Sequence, residues 1–371
     1  MPEIRASGRL QSDWPFAAGR WPFFYGWTIA LVSTLGFLFS IPGQTMGMAV
    51  FADEFIAAFG LTRTELSSAY LFGTLGSALM LTKAGRWYDQ LGARLMLVVA
   101  PMVLGATLVF ISAIDALSSV LNQWTGITFS WIAFVLILLG YFGVRFAGQG
   151  VLTSASRNVL LVWFEKRRGV VSGARGVFVS LGFSLAPLLL AWLIDVWGWR
   201  GALLLMAVVV GLGFALVALV FVRDHPRVCG LQPDGGSALR DGPQVVAEHE
   251  DLTLSQVRRT PEFWMYAAAL SMHALFGTAV TFHVVAIFEE AGRSRVEAFA
   301  YFLPQAIASL TVNLAASAAA DYMKLKPLLV VMLVSFIVGA IGITQLATAT
   351  GYWMLVAGFG AGGGLWGVLS N

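Results

Sequence analysis

The sequence predicts an all-α integral membrane protein, and three observations carry that expectation. Apolar runs of about 20 residues, long enough to cross a bilayer as helices, recur along the whole chain. Of 371 residues, 58% are hydrophobic and only 12% charged, with mean hydropathy +0.78; a soluble domain carries about 25% charged residues. The basic residues, finally, crowd onto alternate connections between the runs.

Ten spans are expected, at 24–46, 64–84, 93–114, 129–156, 169–194, 199–222, 262–288, 298–319, 327–347 and 351–371. Runs this continuous read as helices, because barrel strands would be about ten residues of strict alternation. The first run is too long for a secretory leader and has no small-residue cleavage site, so it is expected to stay as the first helix. The second is preceded by "GLTRTE" at 60–65 and the eighth by "GRSRVE" at 292–297. Thr62 with Glu65, and Ser294 with Glu297, have capping-box spacing, so each should start a helix. Between the sixth and seventh runs, 224–261 is polar and holds Pro226, Pro233, Gly235, Gly242, Pro243 and the acids Glu248, Glu250 and Asp251. It reads as a flexible linker joining an N-terminal six-helix bundle, 1–223, to a partial C-terminal bundle, 262–371. The glycine-rich "GFGAGGG" at 358–364 lies in the tenth span with no lysine after it, and reads as close helix packing rather than a phosphate loop.

The net charge of +3 invites a nucleic-acid partner, but the distribution argues against one. Sixteen of the 23 basic residues fall on one set of connections, such as Lys83, Arg86 and Arg94, or Lys166, Arg167 and Arg168. The opposite set holds Arg63, Arg200, Arg293 and Arg295. Positive loops stay in the cytoplasm, which places the N-terminus inside an inner or plasma membrane. The single cysteine, Cys229, allows no internal disulfide, and no metal-ligand spacing or cofactor fingerprint occurs.

The two capped starts repeat at an offset of 232, and a second marker obeys the same offset: Asp89 corresponds to Asp321 and Arg94 to Lys326. Asp89 and Arg94 belong to "GRWYDQLGAR", 85–94, a charged turn between two greasy spans. Gly85 and Gly92 would let the backbone turn, Arg86 and Arg94 would hold the loop at the inner face, and Asp89 would pair with a base or sit at a helix N-terminus.

This loop resembles the signature Gly-x-x-x-Asp-x-x-Gly-x-Arg of the major facilitator superfamily, filled by Gly85, Asp89, Gly92 and Arg94. "RFAGQG" at 145–150 resembles that superfamily's helix-4 signature. "FYGW" at 24–27, "WFEKRRGVVSG" at 163–173 and "RRTPEFW" at 258–264 resemble its monocarboxylate and oxalate/formate branch. The resemblance implies two pseudo-symmetric six-helix bundles, about ten of twelve helices being present; projecting the first half onto the second leaves roughly 60–85 residues, helices 11 and 12, expected to be missing, whether from the sequence or from the protein itself. It implies a cytoplasmic gate at Gly85, Asp89, Gly92, Arg94 and Asp321. The branch's helix-8 arginine has no counterpart, since 298–319 contains neither Arg nor Lys.

Within the spans, Arg145 is the sharpest signal. An arginine at a helix centre costs about 2.5–3.5 kcal/mol on insertion scales, so it should face a cavity or a partner. No acid falls at mid-span. Three partners stay open: carbonyls and amides such as Gln149, an acid in helices beyond the chain, or an anionic substrate matched to the guanidinium fork. Gln44, Tyr70, Gln305 and Asn313 are further cavity candidates. His273 and His283 are the groups suited to proton coupling near neutral pH. Arg157 and Arg175 lie nearer the inner face and are expected to snorkel.

Together these readings predict a secondary transporter of a small organic solute, carboxylates included, using no cofactor and coupled to a proton or a counter-solute. A non-transporting membrane sensor, or a truncated and inactive carrier, is the alternative. An enzyme is disfavoured, because the mid-span groups assemble no nucleophile, base and orienter.

Overall fold

Each expected span contains helix in the computed structural model, which describes residues 14–235, 256, 258–320 and 325–369. Asp321, Lys324 and the acidic part of the linker, Glu248 to Asp251, lie outside the described residues. The chain divides into two compact units, Met1–Leu239 and Arg240–Asn371. Seven helical runs among the described residues are long and apolar enough to cross a membrane. One of these, Arg168–Phe221, holds two passages that meet at Gly198, whose φ of 68° a side chain would oppose.

In the first unit, α1 (Gly26–Phe39) does not continue through its expected span. Pro42 removes a backbone donor, and the chain passes through a short 3₁₀ turn, Ile41–Gly43, into α2 (Thr45–Ala49) and α3 (Ala52–Phe59). The capping box of Thr62 and Glu65 forms as expected and starts α4 (Arg63–Leu91). Next come α5 (Ala93–Ser112) and α6 (Ile114–Thr125), an amphipathic helix in what the sequence reading left as a connection. The helix α7 (Phe129–Val144) runs through a π-helical segment, Arg145–Leu152, into α8 (Thr153–Trp163). The helix α9 (Arg168–Val208) is followed by a second π-helical segment, Val209–Phe214, and by α10 (Ala215–Phe221). The packing pairs are α4 on α7, α5 on α9 and α1 on α8.

The loop 85–94 corrects its expected geometry. Gly85 is no turn residue; it lies inside α4, and a Cβ there would meet nothing within 4 Å. The turn falls on Gly92 alone, at φ +84°. The helix N-terminus offered to Asp89 is occupied by Asp224, which accepts from Arg94 N–H at 2.8 Å. Asp89 itself is exposed on the last turn of α4.

Arg94 is not a surface anchor either, being only 2% exposed. Its guanidinium donates to the carbonyls of Leu219 and Trp14 at 2.6–2.9 Å. Arg223 donates to Val220 at 2.9 Å, and the Tyr25 hydroxyl to Phe221 at 2.6 Å. The last carbonyls of α10, which have no partner within the helix, are thus covered by two cations and a phenol.

Asp234 makes a second clasp at this basic end. Its carboxylate accepts the backbone N–H groups of Glu165, Lys166 and Arg167 at 2.7–3.2 Å, closing the turn before α9. Burial works the other way, but the three donors hold its carboxyl below the usual aspartate value of 3.8.

The second unit holds α11 (Pro261–Phe282), α12 (Val284–Glu290), α13 (Arg295–Ala300), α14 (Phe302–Ala320), α15 (Leu325–Thr344) and α16 (Ala349–Leu369). The second capping box, Ser294 with Glu297, forms at the start of α13. The helix α16 is the hub, packed against both α14 and α15. "GFGAGGG" makes that approach feasible: a Cβ on Gly358 would lie 2.3 Å from Gly339 N and 2.6 Å from Ser335 O.

Two expectations follow. Gly358→Ala forces backbone apart and should destabilise the protein by about 1–3 kcal/mol in detergent melts, whereas Gly277→Ala, in open space, should be neutral. Asp234→Ala should lower the melting temperature at pH 7. Because the folded carboxyl is the stronger acid, its contribution is present above 3.8 and is lost as pH falls below that value, so the gap from wild type should close there.

Candidate functional site

Arg145 lies near the middle of the 35-residue run Phe129–Trp163 and is 7% exposed. Among the described residues no carboxylate comes within ion-pair distance of it. Its Nη1 donates instead to the Gly43 carbonyl at 3.3 Å and to Thr45 Oγ1 at 3.4 Å. The Gly43 carbonyl is available because the 3₁₀ turn has ended α1 and releases backbone acceptors at mid-membrane depth. The guanidinium also lies over the Tyr70 ring, 5.3 Å from its centroid. Tyr70 donates to the same Thr45 hydroxyl at 2.8 Å and meets Tyr141 edge-on at 5.1 Å. Nε of Arg145 is buried without a hydrogen-bond partner.

The approach of the broken helix to the arginine depends on bare backbone. A Cβ on Gly43 would sit 2.4 Å from the Val144 carbonyl and 2.7 Å from Gly148 Cα. The π-helical turn begins at Arg145 itself, and such segments recur at functional sites.

The other sequence candidates separate. Tyr70 joins Arg145, while Gln44 turns away, donating to Ser40 Oγ at 2.9 Å. Gln149, the expected amide partner of Arg145, does not bond it: its side chain is exposed and its carbonyl accepts from Thr153. Arg175 does not snorkel free; it lies over the Phe37 ring at 4.5 Å. In the second unit, His273 is boxed between Phe336, edge-on at 4.4 Å, and Trp366, stacked at 5.9 Å, with Nδ1 buried and unbonded. His283 marks the break between α11 and α12. Asn313 ties α14 to α16, its amide donating to the Gly364 carbonyl at 2.9 Å, and Gln305 is half-buried on α14.

Sequence reading missed Gly43 and Thr45. The dipeptide Pro42–Gly43 carried the signal, since it marks a break inside an apolar run.

A bundle of membrane-spanning helices with a buried, unneutralised arginine beside a broken helix defines a multi-pass membrane protein built around an intramembrane polar site. The chain belongs to the Major Facilitator Superfamily, whose profile matches residues 32–371, and that family is one of non-enzymatic carriers. It is similar to the oxalate:formate antiporter of Oxalobacter formigenes, 22% identical over 229 residues, which are 61% of this chain and 47% of that protein. It is also similar to a probable L-galactonate transporter of Escherichia coli (strain K12), 26% identical over 170 residues, 46% of this chain and 33% of that one. The chain thus spans less than half the length of each of these curated relatives.

Thr45→Val keeps the shape of the side chain but removes the acceptor that Tyr70 and Arg145 share. It should cost about 1–3 kcal/mol in thermal melts, and Thr45→Ser should restore most of the loss.

Proposed function

We propose that this chain is a secondary active transporter of a small organic anion bearing a carboxylate, working by alternating access. The observation that carries the reading is Arg145: a permanent positive charge buried at mid-span and facing no carboxylate among the described residues. Its two hydrogen bonds are long, at 3.3 and 3.4 Å, and its Nε is unbonded, so donors remain for a carboxylate oxygen. The substrates named for the two relatives, oxalate, formate and L-galactonate, are all carboxylates.

In this reading the chain has two bundles, 1–223 and 262–371, with 224–261 as their linker, and alternates between states open to either side of the membrane. The asymmetry of basic connections is what supports a cytoplasmic N-terminus in this reading, with an inner or plasma membrane as the resident bilayer. The gate comprises Gly85, Asp89, Gly92, Arg94 and Asp321. Gln44, Gln149, Gln305 and Asn313 are assigned to solute contact in other states of the cycle, since here Gln44 bonds Ser40 and Asn313 bonds Gly364, and His273 and His283 are the proton-coupling groups if a proton rather than a counter-solute supplies the energy.

Counterflow in liposomes tests this. The full chain should accumulate labelled oxalate, formate or L-galactonate against the same unlabelled solute inside. Arg145→Gln should cut the rate roughly tenfold or more, as expected for losing charge-assisted bonds of about 1.5–3 kcal/mol. Binding of these anions without flux would overturn the transport reading in favour of a sensor.

A further inference from the structure

At the basic end of the first unit, α4, α5, the π-helical segment and α8 line a half-open cavity of about 270 Å³. Its lining is graded along the helix axes. Leu81 and Ala84 of α4, with Val151 and Ala155 of the fourth passage, form an apolar half toward mid-membrane. Toward the basic end Tyr88, Arg157 and Asn158 supply a phenol, a guanidinium and an amide, with Met96 of α5 beside them, while the Ser154 hydroxyl lies level with Ala155. No carboxylate lines it. Gly85 forms part of the wall, and a Cβ there would meet nothing within 4 Å, so the glycine of the loop signature leaves room rather than making a turn. Arg157 is exposed and forms no ion pair among the described residues.

We infer that this cavity binds an anionic phosphate headgroup, with Arg157 on the phosphate, Ser154 and Asn158 donating beside it, and the apolar half taking the first methylenes of an attached chain. The gradient from apolar to cationic over about 10 Å matches an amphiphile lying along the membrane normal with its head at the interface. A small soluble anion would use the polar half and leave the apolar half unfilled. The site is separate from Arg145, and the inference does not depend on the transport reading.

The shared chemistry, a phosphate on a short carbon chain, has two sources, and the experiment separates them. The full chain is purified in detergent with equal dioleoylphosphatidylglycerol and dioleoylphosphatidylcholine, and retained lipid is counted by native mass spectrometry. Wild type should retain phosphatidylglycerol preferentially, and Arg157→Gln should lower that retention about fivefold, the worth of one interfacial cation. Gly85→Leu should do the same by filling the cavity, Arg157→Lys should restore part of the retention, and Arg167→Gln should leave it unchanged. Equal retention of the two lipids, or a preference that survives both Arg157→Gln and Gly85→Leu, overturns the inference. Millimolar glycerol 1-phosphate displacing the lipid completely assigns the site to a soluble phosphate and overturns the lipid source; no displacement supports the membrane lipid. If Gly85→Leu fails to fold, the Gln and Lys variants at Arg157 still decide the matter.

Discussion

In a hydrocarbon medium every backbone polar group and every charge must find its partner inside the protein. The first unit is organised around that demand. Pro42 ends α1 inside the bundle, which frees carbonyls at a depth where water is scarce. Arg145 arrives from the fourth passage to take one of them. The break and the arginine are each costly alone and compatible together. The glycines at 43 and 148 are the geometric condition for their meeting, because only bare backbone brings the two helices close enough. The basic end repeats the same solution in another form. There Arg94, Arg223 and Tyr25 cover the frayed carbonyls of α10, while Asp224 and Asp234 cover the N–H groups that open α5 and α9.

Much of this was legible in the sequence, for identifiable reasons. Span positions follow from continuous apolar runs, which tertiary context does not override in a membrane. The capping boxes at Thr62 and Ser294 were readable because both partners lie within four residues of each other. Arg145 was conspicuous because a charge at mid-span is expensive wherever it points.

What sequence could not supply were partners distant along the chain. Arg94 read as a loop cation because its acceptors, the carbonyls of Leu219 and Trp14, belong to residues with no polar side chain to announce them. Gly85 read as a turn because it sits in a turn signature, yet α4 runs on past it to Leu91. The aromatic box of His273 draws on Phe336 and Trp366, more than sixty residues away in sequence. Gln149 failed as a partner for Arg145 because the expected one-turn spacing assumed α geometry, and the chain there is π-helical.

That π-helical stretch has a mechanical meaning. A π turn holds about one residue more than an α turn, so restoring α geometry within Arg145–Leu152 would rotate everything beyond it by roughly 100° for each surplus residue absorbed. The helix α8 would turn as a rod. At its far end Trp163 is fully buried and its indole N–H donates to the Arg223 carbonyl at 3.1 Å, so the rod is held against twist where it meets α10. The passage Phe129–Trp163 thus has a point of adjustable twist at the buried arginine and a clamp at the basic end.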